Sequence, residues 1–293
     1  MRVDSEIQRA VRDGAMSDSR PIGVFDSGLG GLTVAKEIFR QMPGERIIYL
    51  GDTARVPYGS KSEEAIRRFA IQDAKVLMDM DIKLLIAACN TVSSVAMEYL
   101  EERVGDIPVI GVVKPGARAA VLRSVEKRVG VIGTAATIRS GSYNKAVQNI
   151  DPAVKVYGKP CPLFVPLVEE GLIDSEITRL TAEHYLYELI DLGIDCLILG
   201  CTHYPILTEI IQSVTGNRIG LVDSAMWTAR EAQDILRGLD ALAPNDGTGG
   251  LMASRFLVSD ITPNFETVAE TLLGTCLPGI EKVSVEQLEE KQA

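Results

Sequence analysis

Two thiols in this chain stand out by what precedes and follows them. In Cys196-Leu197-Ile198-Leu199-Gly200-Cys201-Thr202-His203-Tyr204-Pro205 an apolar run of strand character stops at a thiol, a hydroxyl and an imidazole. Leu84-Leu85-Ile86-Ala87-Ala88-Cys89-Asn90-Thr91 repeats the design, with an amide and a hydroxyl behind the cysteine. A thiol serves as a base only as thiolate, and at its ordinary pKa of about 8.5 it is mostly protonated at neutral pH. A strand-to-helix turn favours the thiolate, because a helix N-terminus stabilises negative charge. His203, one of only two histidines, stands two residues after Cys201. Asp26, at the end of another strand, is the candidate partner for Cys89. A thiol poised in this way suits taking a proton and giving it back. Two of them facing one small substrate form the central expectation.

Blander readings exist for each residue alone. Cysteine at the end of a buried strand is common packing. Asn90, Thr91 and Thr202 each suit a helix cap, and Asp26 suits a turn. His184, within Ala182-Glu183-His184-Tyr185, reads as an ordinary helix-surface residue. It is the pairing of two such strand ends that capping explains poorly. Two chemical competitors stay open. Cys201, His203 and Cys89 could ligate zinc, although no C-x₂-C pair is present. A Cys–His nucleophile could form an acyl-enzyme, which leaves the second cysteine unexplained.

The bulk properties narrow the class. A hydrophobic fraction of 46% with 24% charged residues is that of a globular protein with a proper core. A net charge of −10 argues against a nucleic-acid surface. No apolar run approaches the roughly 20 residues of a membrane helix, and Met1 to Arg20 lacks the apolar region of a signal peptide. Five cysteines, an odd number at irregular spacing, favour reduced thiols and a cytoplasmic location. Cys196 and Cys276 read as inert residues in apolar surroundings.

The elements that must carry these residues follow in order. Residues 1–20 look like an appendage, in which Ser5 to Arg12 suits one or two helical turns and Met16 suits an alternative start. Pro21 to Phe25 reads as a strand ending in Asp26-Ser27-Gly28-Leu29-Gly30-Gly31, followed by a helix with Leu32, Ala35, Ile38 and Phe39 on one face. No complete G-x-G-x-x-G is present, so this is not a dinucleotide turn. Strands are expected at 46–50, 109–113 and 256–259, with helices over 62–78, 91–102, 175–192, 226–239 and 264–273. The tail from Val283 reads as loose. Arg128 to Ala135 can be laid over Pro21 to Gly28, matching Ser27 to Thr134. Cys89 then lies 62 residues after Ser27 and Cys201 lies 67 after Thr134. One half therefore looks like a degenerate copy of the other. Alternating strands and helices predict an α/β fold of two similar domains, each a mainly parallel sheet flanked by helices, with the active site in the cleft between them. The expected division is an extension over 1–20, a first domain of 21–114 plus about 226–293, and a second of 115–225, with Lys114-Pro115-Gly116 as the crossing.

Taken together, several stretches resemble glutamate racemase, a cofactor-independent member of the aspartate/glutamate racemase family. They are Val24 to Gly31, Tyr49-Leu50-Gly51-Asp52 with Pro57-Tyr58-Gly59, Ala88 to Thr91, Gly133-Thr134, Val165 to Glu169 and Leu199 to Pro205, spread over residues 21–275. The resemblance implies interconversion of L- and D-glutamate without metal or cofactor, supplying D-glutamate for peptidoglycan and hence cell-wall synthesis. It implies that Cys89 deprotonates the D-isomer and Cys201 the L-isomer. Asp26 and His203 would assist these thiols, with Glu169 beside His203. Asp26, Ser27, Tyr58, Gly59, Asn90, Thr91, Thr134, Thr202 and His203 would contact the substrate. A racemase or decarboxylase of the same superfamily acting on aspartate or another small acid is the alternative. The resemblance also admits a homodimer. Some members of the family are held to bind DNA gyrase, for which residues 1–20 offer a place.

Overall fold

The computed structural model describes residues 18–261 and 265–290; the readings made for Ser5 to Arg12 and for Met16 fall outside them. Four strands, β1 (Ile22–Asp26), β2 (Ile47–Gly51), β3 (Leu84–Ala87) and β4 (Val109–Gly111), begin one sheet. β5 (Arg128–Gly133), β6 (Lys155–Pro160), β7 (Cys196–Gly200) and β8 (Gly220–Val222) make a second, before β9 (Arg255–Val258) and β10 (Glu281–Lys282) return to the first. The orders are β10-β9-β2-β1-β3-β4 and β6-β5-β7-β8, and every pairing is parallel. β2-β1-β3-β4 and β6-β5-β7-β8 therefore share one winding.

The apolar runs become central strands because both faces are covered. Along β1, β2 and β3 alternate residues enter different cores: Ile22, Val24, Ile47, Tyr49, Leu84 and Ile86 face one, while Phe25, Ile48, Leu50 and Leu85 face the other. In the second sheet Val129, Val131, Cys196 and Ile198 face one side and Ile132, Leu197 and Leu199 the opposite side. A one-residue slip would exchange the two sets, so the register is strongly specified.

That register also aligns the chemistry. Phe25 pairs with Ala87, so Ser27 falls opposite Cys89 two residues on. Gly133 pairs with Gly200, so Thr134 falls opposite Cys201 one residue on. The superposition of the two halves read from the sequence is thus a shared topology.

Several local expectations need correction. Lys114-Pro115-Gly116, expected as the crossing into the second unit, lies inside the helix Val113–Arg123. Pro115 is tolerated in the first turn, where N–H groups lack intrahelical partners anyway. The helix expected over 91–102 breaks at Ala96 (φ −125°) into Asn90–Val95 and Met97–Glu101. Its first part is a poor helix former rich in β-branched residues and serine. Ser93 Oγ there donates to the Ala87 carbonyl and accepts from Val112 N, tying the short helix to β3 and β4. Cys276 is exposed, because it follows the end of the Phe265–Leu273 helix rather than packing under it. The tail is ordered through Glu290: a capping box of Ser284 and Gln287 starts the helix Val285–Glu289, and Leu288 is buried. Residues 18–20 are fastened too, since Lys83 Nζ donates to the Asp18 carbonyl at 2.6 Å.

Candidate active site

Ser27, Tyr58, Gly59, Cys89, Asn90, Thr91, Thr134, Cys201, Thr202 and His203 all line one pocket between the two sheets, joined by Val56, Pro57 and Val165. Asp26 lies directly behind it, and Glu169 lies behind His203. The free volume at the centre is about 10 Å³, room for roughly one water molecule.

The two thiols come from opposite sheets, Cys89 after β3 and Cys201 after β7, and each starts a turn into helical structure. Their surroundings differ. Cys201 Sγ is 3.9 Å from His203 Nδ1, and His203 Nε2 is 2.6 Å from Glu169 Oε1. Burial alone would push the His203 pKa down, but its bonds to Cys201 and Glu169 outweigh that and hold it well above 6.5. His203 therefore carries its proton at neutral pH. Cys89 has no imidazole beside it: its Sγ donates to the Ser27 hydroxyl at 3.5 Å, and the Val92 backbone N–H also acts on the sulfur. Burial, aided by the charge of Asp26, pushes the Cys89 thiol up to about 12.

Asp26 acts on Cys89 through space and makes no hydrogen bond to it among the described residues. Its Oδ2 accepts from Gly28 N at 3.0 Å and its Oδ1 from Thr202 Oγ1 at 3.2 Å. Burial raises its pKa, while the His203 charge and these donors pull the other way. Asp26 thus ties the end of β1 to the end of β7. Tyr49 closes the same turn by donating to the Gly28 carbonyl at 2.8 Å.

The remaining lining residues are held by partners that rule out simple capping for some of them. The Asn90–Val95 helix has no side-chain cap. Asn90 Oδ1 instead accepts from Tyr143 at 2.6 Å, and Thr91 Oγ1 lies 2.9 Å from Thr134 Oγ1 across the two sheets. Thr134 does cap the helix Ala135–Ser140 through Thr137 N. The Tyr58 hydroxyl points out of the pocket to Asp52 and Asp73. Its contribution to the wall is its ring and, with Gly59, the backbone. His184 is exposed, as an ordinary helix-surface residue should be. Among the described residues no three His, Cys, Asp or Glu side chains converge as metal ligands would, so Cys89, Cys201 and His203 do not form a zinc set.

Comparison with known proteins places this geometry. The profile of the Asp/Glu/hydantoin racemase family matches residues 22–232, well over half of the sequence. The chain belongs to the Asp/Glu/hydantoin racemase family. Within it, the glutamate racemase of Chlorobaculum tepidum is 49% identical over 272 residues, covering 92% of this chain and 98% of that protein. The crystal structure of glutamate racemase from Francisella tularensis in complex with D-glutamate is 40% identical with a TM-score of 0.85, covering 93% of this chain and 99% of that one. The Bacillus anthracis glutamate racemase isoform RacE1 is 39% identical with the same TM-score of 0.85, covering 91% and 98%. The aspartate racemase of Picrophilus torridus, at 17% identity and a TM-score of 0.54, shares the fold. As a member of this racemase family the chain is an isomerase. Among the described residues, no helix is long and apolar enough to cross a membrane.

The reading from sequence missed Val56, Pro57 and Val165 as lining residues, although Pro57 and Val165 stood inside stretches it had singled out. Nothing in the local pattern pointed to Tyr143, whose helix lies far from the thiols in sequence.

Proposed function

We propose that this racemase interconverts L- and D-glutamate by a two-base mechanism in which Cys89 and Cys201 address the same α-carbon from opposite faces. The observation that carries the reading is the placement of the two thiols. They end matching strands of two sheets wound alike, and they line one pocket. In this scheme Cys201 removes the proton of L-glutamate and Cys89 delivers one from the other side, with the roles exchanged for D-glutamate. For L-glutamate the Cα–H bond breaks as an S–H bond forms on Cys201, and the S–H bond of Cys89 breaks as a new Cα–H bond forms on the opposite face. One thiol thus gains a proton and the other loses one in each turnover. The protonated His203, braced by Glu169, supports negative charge on Cys201, and Cys89 waits as the neutral thiol. Ser27, Asn90, Thr91, Thr134 and Thr202, with the backbone at Tyr58 and Gly59, supply donors for two carboxylates without a lysine or arginine beside the sulfurs. Asp26 offers its charge to the substrate ammonium.

The parts that move against each other are the units proposed as 21–114 plus about 226–293 and 115–225. Closing them dries the site, which strengthens every electrostatic contact made to the weakly acidic α-carbon. The D-glutamate formed suits peptidoglycan synthesis in the cytoplasm.

A chiral assay with L- and D-glutamate and with both enantiomers of aspartate tests the substrate. Turnover of glutamate in D₂O should place deuterium at Cα of the product, and a chelator should leave the rate unchanged. Cys89→Ser and Cys201→Ser should each lower kcat at least a thousandfold in both directions. Either variant retaining near-normal rates would overturn the two-base scheme. Faster turnover of aspartate than of glutamate would reassign the substrate.

A further inference from the structure

We propose that Tyr143 is a positioning residue that, in the closed site, sets the separation of the two thiol-bearing strand ends and fixes the orientation of the Asn90 amide; this rests on the racemase reading above. Tyr143 lies on the helix Ser142–Ile150 of the second sheet's unit and is buried. Its hydroxyl reaches across to Asn90 Oδ1 at 2.6 Å, the residue directly after Cys89. Its ring lies on Gly200, the residue directly before Cys201, where an added Cβ would come within 3.2 Å of Tyr143 Cε2. One side chain therefore touches the neighbours of both sulfurs. On the far side of the ring, a Cβ at Gly116 would stand 3.4 Å from Tyr143 Cε1 and 3.2 Å from Ser224 Cβ. Glycine at 116 and 200 leaves the ring the space it fills.

The bond to Asn90 has a direction. Burial pushes the phenol pKa up, so it keeps its proton, and the Ser224 side chain acts on the phenol oxygen from the other side. The phenol proton goes to Asn90 Oδ1, and an amide so anchored cannot turn over without losing that bond. Among the described residues no partner is found for Asn90 Nδ2, and Asn90 lines the pocket. The NH₂ group is thereby left to donate to a substrate carboxylate. An ordinary core tyrosine also finds a partner for its hydroxyl. What sets Tyr143 apart is that its partner is a pocket residue carried by the other sheet.

The test compares steady-state racemisation of L- and D-glutamate by the wild-type protein, Tyr143→Phe and Tyr143→Leu, with thermal unfolding of each. Tyr143→Phe keeps the spacer and frees the amide. KM should rise about tenfold in both directions with kcat within about threefold, the scale of one lost hydrogen bond to a charged group. Tyr143→Leu also removes the spacer, and kcat should fall about a hundredfold. In an Asn90→Ala background Tyr143→Phe should add less than twofold, because the group it orients is gone. A folded Tyr143→Phe with KM within twofold of wild type would overturn the proposal, as would full additivity with Asn90→Ala. A role in packing alone would lower the melting temperature without separating KM from kcat. A wild-type protein inert towards glutamate would instead sink the substrate assignment, whereas an active wild type with an unaltered Tyr143→Phe would sink only the role of Tyr143.

Discussion

At the scale of single residues, the two thiols are matched in position and unmatched in environment. His203 is held well above 6.5 by Cys201 and Glu169 despite its burial, and Cys89 is raised to about 12. Both shifts are upward, so both groups bind more protons folded than unfolded between their two values. The stability they contribute is then fully present below the unfolded pKa and is lost as pH rises through the folded one. For His203 the loss begins above about 6.5, and for Cys89 above about 8.5. Glu169→Gln takes away one of the two bonds that raise His203. We expect this variant to be less stable than wild type by about 1–2 kcal/mol at pH 6 to 7. The gap should narrow as pH rises through the raised folded value of His203, where the wild-type imidazole also gives up its proton. Thermal unfolding of the two proteins across that range measures it. A gap that widens with pH would mean that Glu169 does not support the charged imidazole.

At the scale of elements, the loop 52–61 shows what was legible in the sequence and what was not. Continuous apolar runs ending in Asp26, Asp52, Cys89 and Cys201 could be read directly, because strands buried on both faces leave no polar alternation to confuse them. The repeated winding was legible for the same reason, since Ser27 and Thr134 stand at equivalent strand ends. The side chains that brace the pocket from behind were not. Asp52 and Asp73 are fully buried, and Arg55 bridges them, donating to Asp52 Oδ2 at 2.5 Å and Asp73 Oδ1 at 3.2 Å while stacking 4.2 Å from the Phe69 ring. The Tyr58 hydroxyl joins both carboxyls. These partners are joined only by the packing of the Glu63–Met78 helix on the sheet, which periodicity does not report. The tail was misjudged because its polarity hides two anchoring residues, the buried Leu288 and the half-buried Val283, whose N–H also donates to the Val258 carbonyl. Removing Arg55 leaves carboxyls in the core without a cation. Arg55→Met should cost about 3–5 kcal/mol, the range for breaking one side of a buried ion pair. The sign with pH follows from Asp73, which burial and the nearby Asp52 raise well above 3.8 while Arg55 pulls it down. Losing Arg55 raises it further, so the stability it carries is kept at low pH and lost as pH rises through the folded value. The deficit in melting temperature should therefore be larger at pH 8 than at pH 5. Equal deficits would show that the damage is lost packing on Phe69 and not uncompensated charge.

At the scale of the whole molecule, the pocket as it stands has free volume for roughly one water molecule. Under the proposed function, glutamate enters when the two proposed units part and reacts when they close. The contacts that span the site suit such a motion. Thr91 to Thr134, Asn90 to Tyr143, Thr202 to Asp26 and Ser142 to Ser94 are hydrogen bonds between small polar groups. Each contributes only about 1 kcal/mol net, since water replaces the partner on opening. The closed fit, by contrast, is exacting at two glycines. A Cβ on Gly59 would stand 2.3 Å from Thr134 Cβ, and one on Gly30 would stand 2.6 Å from Thr202 Cβ. Neither atom lies at the end of a flexible chain, so a methyl group there keeps the halves apart. Gly59→Ala should leave the melting temperature within a few degrees while lowering kcat/KM about a hundredfold, as expected when reacting groups are misplaced by an ångström or so. Because L- and D-glutamate are equal in free energy, kcat/KM must fall by the same factor in both directions, even where kcat and KM divide it differently. A folded Gly59→Ala enzyme within threefold of wild type would mean that the chemistry takes place with the two units held wider apart than they stand here.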